Sequence, residues 1–388
     1  MKLIERHLGK VVLAAARKYP VISVTGPRQS GKTTLVKQVF ADYQYVNFED
    51  PELREFATND PKGFLQQFNK PLILDEVQYV PNIFSYIQLA VDNNPNKGQF
   101  ILTGSQNFLL LEQVSQSLAG RVAIFNLFPF SLEELKGTKY FSHSYEEYLY
   151  KGFYPRIYSD KLDAKEWLKN YTNTYIERDV RKIVNIGDLT RFQHFLKLCA
   201  GRVGQLVNFS EIGNELGVTY HTVQAWLSVL ESSYIIFRLS PYYKNFNKRI
   251  IKSPKLYFYD TGLAAYLLGI TKPDDVNSHF AKGALFENLI ISEMIKYKTN
   301  NGMTPNIWFW RSSSGYELDC IVEDGKTIKA VEIKSGKTVT SDFFKGLNYW
   351  RDLTNLSDTY IVYGGDNKQE RTNATVLPWI EACSIFNT

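Results

Sequence analysis

Gly26-Pro27-Arg28-Gln29-Ser30-Gly31-Lys32-Thr33-Thr34 is the stretch on which the fold turns. It fits the spacing G-x-x-x-x-G-K-[ST]. The apolar run Tyr19–Thr25 precedes it and the amphipathic run Lys32–Phe40 follows it, so it sits at a strand-to-helix turn, the context that this spacing requires. Glycines let the backbone curl until its amide N–H groups converge on phosphate oxygens, and the helix N-terminus behind them favours negative charge. Residues Gly26 to Thr34 are therefore candidates to cradle a polyphosphate. Lys32 would place a point charge at its β/γ end, and the Thr33 hydroxyl would ligate Mg²⁺.

Working outward, Leu72-Ile73-Leu74-Asp75-Glu76 is an apolar strand that ends in two acids. A buried strand delivers Asp75 to the metal and places Glu76 to polarise an attacking water. The next strand, Phe100–Thr103, runs on through Gly104 to Ser105, a polar candidate to sense the γ-phosphate or that water. Tyr45–Phe48 and Val122–Leu127 are further runs rich in β-branched and aromatic residues, with longer amphipathic stretches between the runs. That alternation predicts an α/β parallel sheet with crossover helices, and the loop motif at its first strand-to-helix turn is what would make it a P-loop NTPase parallel sheet.

These residues resemble the prokaryotic AAA-type ATPases that carry a C-terminal domain of unknown function. Further matching segments are Leu118-Ala119-Gly120-Arg121, Tyr175–Val180, Lys255–Gly262 and Val331–Ser335, so the resemblance covers nearly the whole chain. It implies ATP and Mg²⁺ as cofactors, and it marks Arg121 as the candidate arginine finger or γ-phosphate contact. It also implies a glycine-x-proline element beside the adenine, where this chain has Gly152-Phe153-Tyr154-Pro155 with one residue more. Arg156, Arg178 and Arg181 are the candidates for a second sensor.

The chain has 388 residues, which exceeds one compact core. A hydrophobic content of 44% with 22% charged residues excludes disorder as the main state. Its 45 basic and 40 acidic residues leave a net charge of +5, so attraction to a polyanion must come from local patches. Cys199, Cys320 and Cys383 fit neither a disulfide framework nor a zinc cluster. No run is long and apolar enough for a membrane span, and Arg6, His7, Lys10, Arg17 and Lys18 break up the start of the chain. A cytoplasmic protein with no membrane partner is expected.

Residues 140–200 show apolar positions at helical spacing, Trp167, Tyr171 and Tyr175, then Phe192, Phe195 and Leu196, and predict a helical lid. Phe209–Leu216, Gly217 and Thr219–Leu230 read as helix, turn, helix, followed by strand-like runs Tyr234–Leu239 and Lys255–Tyr259, the order of a winged helix. Val223, Trp226, Leu227 and Leu230 would be its buried stripe, leaving Tyr220, His221 and Gln224 outward for base edges or phosphates. The loop between the strands holds Lys244, Lys248, Arg249, Lys252 and Lys255 without an acid, interleaved with Tyr242, Tyr243 and Phe246. Such a patch suits a nucleic-acid backbone.

The last part opens with a helix over Ala284–Lys296 and continues in short strands. Glu317–Val322 and Thr327–Lys334 read as a hairpin. A two-residue turn at Asp324-Gly325 would set Asp319 opposite Ala330 and Glu317 opposite Glu332. Glu317, Asp319, Glu332 and Lys334 would then share one face. An acid followed by acid-x-lysine on adjacent strands resembles the PD-(D/E)XK nuclease superfamily. The resemblance implies Mg²⁺ held by Asp319 and Glu332, a water oriented by Lys334, and Glu287 as the helical acid.

The expected organisation is an AAA-type P-loop domain over 1–135, a helical lid over 136–204, a winged helix over 205–270 and an α/β PD-(D/E)XK-like domain over 271–388. The expected function is ATP hydrolysis that drives a rearrangement acting on DNA, by binding or by Mg²⁺-dependent cleavage. The alternative is an ATP-dependent switch that binds a protein partner through the same parts, with an inactive nuclease-like domain. Oligomerisation is compatible with either.

Overall fold

The structure, a computed structural model, describes residues 3–94, 96–104, 117–176, 189–242, 253–325 and 327–387. The chain divides into two compact units. The first is Met1–Phe130 with Ser232–Tyr234 and Lys298–Met303, and the second is Ser131–Glu231, Ile235–Tyr297 and Thr304–Thr388.

In the first unit β1 (Val21–Thr25), β2 (Gln44–Asn47), β3 (Leu72–Asp75), β4 (Phe100–Gly104) and β5 (Val122–Asn126) form one sheet in the order β2-β3-β4-β1-β5, every pair parallel. The strands fall on the five apolar runs of the sequence. β1, β3 and β4 are buried along their whole length, which is why they read as unbroken apolar runs rather than alternating ones.

Alternate residues serve opposite faces. Ile22, Val24, Ile73 and Ile101 pack against helices α1 (Leu8–Ala16) and α2 (Lys32–Val39). Val21, Leu72, Leu74, Phe100 and Leu102 pack against α3 (Pro51–Asn59), α4 (Pro61–Gln66) and α5 (Ile83–Asn93) through Phe64, Phe84 and Ile87. The Asp50 carboxylate accepts from the Glu52 and Leu53 amides ahead of Pro51, and this cap fixes where α3 begins. Because the sheet is parallel, the turns after β1, β3 and β4 gather at one edge.

The second unit begins with helices α6 (Leu132–Leu135), α7 (Tyr145–Lys151), α8 (Pro155–Ser159), α9 (Ala164–Tyr171) and α10 (Leu189–Gly201). Trp167, Tyr171, Phe192, Phe195 and Leu196 are buried at the spacing that the sequence shows. Helices α11 (Phe209–Leu216) and α12 (Tyr220–Ser232) follow. Gly217 ends the first in the left-handed region, and the Thr219 hydroxyl accepts from the Thr222 amide at 3.1 Å to start the second. Strands β6 (Ile236–Leu239) and β7 (Lys255–Phe258) pair antiparallel. Val223, Trp226, Leu227 and Leu230 are buried, while Tyr220, His221 and Gln224 face outward.

After α13 (Thr261–Leu267), α14 (Asp275–Ser278) and α15 (Lys282–Asn300) comes a six-stranded sheet. It contains β8 (Ile307–Arg311), β9 (Glu317–Asp324), β10 (Thr327–Lys334), β11 (Thr359–Tyr363), β12 (Gln369–Arg371) and β13 (Ala374–Pro378), in the order β12-β13-β11-β10-β9-β8. β8, β9 and β10 form an antiparallel meander, and β11 joins β10 in parallel after helix α16 (Lys345–Thr354).

The hairpin register differs from the sequence expectation. Asp324 pairs with Thr327, so the turn begins after Asp324 rather than at it. Gly325, with φ +62°, takes the left-handed position while Asp324 stays in the strand. Glu317 is therefore not opposite Glu332, and Ala330 faces Ile321 rather than Asp319. Sliding the loop by one position moves every pair by two, so side chains keep their faces, and Asp319, Glu332 and Lys334 still meet on one side.

A second glycine-dependent contact lies in the helical region. The Asp260 carboxylate accepts from the Phe153 amide at 2.7 Å and from the Leu263 amide at 2.9 Å, and a Cβ on Gly152 would collide with it. Gly152-Phe153 is thus the seat for the N-terminus of α13, a structural role.

Candidate functional site

The loop after β1 curls over the N-terminus of α2. Gly26, at φ +146°, cannot be replaced, because a Cβ there would overlap the Leu127 carbonyl oxygen. Gln29 and Gly31 also lie at positive φ, 63° and 94°, which turns successive amides to one side. Lys32 is buried, and its Nζ donates to the Gly26 and Pro27 carbonyls at 3.0 and 2.8 Å. That contact aims the ammonium along the inside of the curl.

Asp75, at the end of β3, is the hub of the site. The Thr33 hydroxyl donates to Asp75 Oδ2 at 2.7 Å, and so does the Tyr45 hydroxyl, also at 2.7 Å. The Thr103 hydroxyl of β4 donates to Asp75 Oδ1. Burial and then the Asp75 hydrogen bond push the Tyr45 hydroxyl far above its ordinary value, so it remains a donor. Thr33 and Asp75 offer adjacent hard oxygens of the kind that hold Mg²⁺ beside a polyphosphate, so the donor set fits that ion. Glu76 adopts φ +55°, unusual for a residue with a side chain, and its Oε2 accepts from Gln78 Nε2 at 2.5 Å.

Two supports were not legible as site residues. The buried Arg6 guanidinium donates to the Ser30 carbonyl at 2.7 Å and to the Phe128 carbonyl at 2.6 Å, and it stacks 4.9 Å from the Phe130 ring centre. Tyr234 donates to Asn126 Oδ1 at 3.0 Å and shares a 2.7 Å hydrogen bond with the Thr25 hydroxyl, one residue before Gly26.

Arg121 is not at this site. It precedes β5 at the N-terminal edge of the parallel sheet, and its carbonyl accepts from the Val21 amide. A five-residue strand of about 16 Å separates that edge from the phosphate loop. The guanidinium is bound to Asp92 at 2.6 and 3.0 Å on the surface. A contact with the chain's own γ-phosphate is thus corrected, because a residue that begins β5 stands a strand length from the loop that ends β1. Ser105, Arg178, Arg181, Lys244, Lys248, Arg249 and Lys252 lie outside the described residues. Arg156 pairs with Asp160 at 2.9 Å within one exposed helical turn.

The second unit gathers the acids that the hairpin predicts, with a lysine in their midst. Lys255, whose side chain is 3% exposed, forms ion pairs with Glu287 at 2.9 Å, with Glu317, and with Asp319 at 4.0 Å. Lys334 pairs with Glu332 at 2.5 Å and with Asp319 at 3.5 Å, and Arg311 pairs with Glu317 at 3.3 Å. The Tyr257 hydroxyl donates to Glu287 Oε1 at 2.5 Å. Burial first, then the neighbouring Asp319 charge, raise the Glu332 carboxyl above its ordinary value. Burial also raises Glu287, only partly opposed by Lys255. Burial pulls the Lys255 ammonium down, but Glu287, Asp319 and Glu317 outweigh it and hold the charge firmly in place.

Lys255 is therefore not part of a surface patch for nucleic acid, contrary to the sequence expectation. It is the first residue of β7, and its alternation with Tyr257 turns both toward Glu287. Nor do Asp319 and Glu332 fit a divalent cation. Their accessible oxygens are taken by ammonium groups and by the Ile333 amide, which donates to Asp319 Oδ2 at 2.8 Å. Among the described residues no group of three or more His, Cys, Asp and Glu side chains is arranged to hold a metal ion.

Comparison with known proteins agrees with the first unit. Residues 18–136 match the family described as AAA domain. Residues 142–274 and 282–381 match two families described as domains of unknown function, DUF8612 and DUF4143. The uncharacterized protein Rv2008c of Mycobacterium tuberculosis is 29% identical over 393 residues, covering 100% of this chain and 86% of that protein. MJ1544 of Methanocaldococcus jannaschii is 24% identical over 331 residues, covering 77% of this chain and 71% of its own. Among solved structures, the Walker-type ATPase paby2304 of Pyrococcus abyssi aligns over 68% of this chain and 96% of that one, with 16% identity and a TM-score of 0.46. AMPPCP-bound DnaA of Aquifex aeolicus aligns over 58% and 86%, with 16% identity and a TM-score of 0.30.

For residues 18–136 the family match and the loop geometry together support an AAA-type P-loop ATPase fold, which implies nucleotide binding. Among the described residues no helix is long and apolar enough to cross a membrane.

Proposed function

We propose that the chain binds and hydrolyses ATP with Mg²⁺ and uses turnover to rearrange the helical parts that follow the sheet, with DNA as the partner acted upon. The observation that carries the ATPase reading is the arrangement of Lys32 inside the loop curl with Thr33 and Asp75 joined at 2.7 Å. Residues Gly26 to Thr34 would hold the phosphates, Thr33 and Asp75 would hold the metal, which would supply charge neutralisation to the polyphosphate, and Glu76 would polarise the attacking water. Support for DNA is the outward face of α12, where Tyr220 is 44% exposed beside His221 and Gln224.

The test is ATP turnover by the full chain with and without single-stranded, duplex and branched DNA, with Lys32→Ala as the blank. Stimulation by one DNA form, falling as salt rises, is expected. Turnover indifferent to every form would end the DNA assignment.

A second reading is favoured by one observation, the burial of Lys255 among the acids of the nuclease-like sheet. In it the chain is a nucleotide-dependent switch that holds a protein partner, and the nuclease-like domain does not cleave. DNA cleavage by the wild type in the same assay would remove this reading.

A further inference from the structure

We propose that Lys255 is the resident cation of the Glu287–Glu317–Asp319 cluster, standing where a divalent metal would otherwise be held, and that the cluster is a metal-free clamp joining β7 to the β9–β10 hairpin. This rests on the second reading above and gives the lack of cleavage a cause.

The ammonium is buried among three carboxylates. Glu287 lies at 2.9 Å, Glu317 makes a direct ion pair, Asp319 lies at 4.0 Å, and the Phe309 ring has its centre 5.5 Å away. A lysine with 3% of its side chain exposed persists only where carboxylates replace its lost hydration. One oxygen of each of Glu287, Asp319 and Glu332 is already engaged. Tyr257 and Lys255 share Glu287 Oε1, Lys334 takes Glu332 Oε1, and the Ile333 amide and Lys334 take Asp319 Oδ2. Glu332 Oε2 has no hydrogen-bond partner, but it is buried against α16, where a Cβ on Gly346 would sit 3.3 Å away, so it opens on no coordination space. A divalent ion needs about six oxygen ligands and would have to enter beside two ammonium groups, against strong repulsion in a buried setting.

The chain thus supplies with Lys255 the charge that a nuclease takes from its metal. An ammonium neutralises acids, but it neither activates a water as a hydroxide nor bridges two phosphate oxygens as a metal does. Lys255 opens the second strand of the β6–β7 ribbon, so the clamp fixes that ribbon to the β9–β10 hairpin rather than preparing a reaction.

The test is Mn²⁺ binding to the nucleotide-free full chain, followed by the spectroscopic signal of the free ion. The wild type, Asp319→Asn and Glu332→Gln are expected to bind Mn²⁺ identically. Lys255→Met is expected to gain one site at least tenfold tighter than any in the wild type, and adding Asp319→Asn should remove it. A wild-type site lost in Asp319→Asn, or no gain in Lys255→Met, overturns the proposal. Should Lys255→Met fail to fold, the comparison of wild type with Asp319→Asn and Glu332→Gln decides alone. No nucleotide or DNA enters this measurement, so its failure and a failure of the ATPase assignment are separable.

Discussion

The Thr33 hydroxyl donates to the Asp75 carboxylate at 2.7 Å, joining the first turn of α2 to the end of β3 across the intervening β4. Asp75 is also held by Tyr45 and Thr103, so its position is fixed independently of the loop. Asp75→Asn should keep the fold and lower ATP turnover by roughly 10²- to 10³-fold, through loss of charge toward the metal. Turnover against Mg²⁺ concentration checks this. An unchanged rate would mean that the metal is held elsewhere.

Arg6→Ala should weaken ATP binding without touching any reacting group. It removes charge-assisted hydrogen bonds to the Ser30 and Phe128 carbonyls, each worth about 1.5–3 kcal/mol, and leaves buried acceptors unpaired. A raised KM with a smaller change in kcat, and a lower denaturant midpoint, are expected. Arg6→Lys should rescue only in part, since one ammonium cannot match the two-pronged geometry.

Arg121→Ala should leave turnover unchanged at dilutions where the chain is monomeric. Its exposed pair with Asp92 is open to solvent and salt, so no shift in melting temperature is expected. A loss of turnover that appears only as protein concentration rises would assign Arg121 to a neighbouring copy's nucleotide.

Gly152→Ala should destabilise the second unit by about 3 kcal/mol or more, since the new methyl collides with the Asp260 carboxylate and the glycine lies at φ +67°. Thermal unfolding reports this directly.

Stability should carry a pH signature from Glu293. Burial raises its carboxyl above the ordinary 4.5, partly opposed by Lys296 at 2.9 Å. A raised folded value means that the native state binds the proton more tightly. Its contribution is fully present below about pH 4.5 and fades as pH rises through the higher folded value. Glu293→Gln, which stays neutral, should therefore gain stability relative to wild type between pH 4 and neutrality. A flat difference would exclude the linkage.

Much of the first unit was legible because its signals are local. The phosphate loop lies in nine consecutive residues, and the buried strands announce themselves as apolar runs. Tyr45 and Thr103 were harder, because a hydroxyl in a strand carries no mark of what it will bond. Thr103 still had a signal, since it lies near the end of the strand beside the one carrying Asp75. Arg6 had none, as its acceptors at positions 30 and 128 are backbone atoms. Lys255 shows how spacing misleads. It follows a run of basic residues and joins them by composition, yet it opens the apolar run Lys255–Tyr259, where a charge on the same face as Tyr257 needs a buried partner. The hairpin failed only in its turn, where Gly325 rather than Asp324 took the first loop position.

The first unit is not one continuous piece of chain. Ser232–Tyr234 returns to it from a hundred residues downstream, and there Tyr234 latches Thr25 and Asn126 at the ends of β1 and β5. A fragment cut after Phe130 would keep Gly26 to Thr34 and Asp75 and still lack the wedge behind the strand that launches the loop. Kinetics measured on such a truncation would describe a slackened site, and only the uncut polypeptide reports the native one.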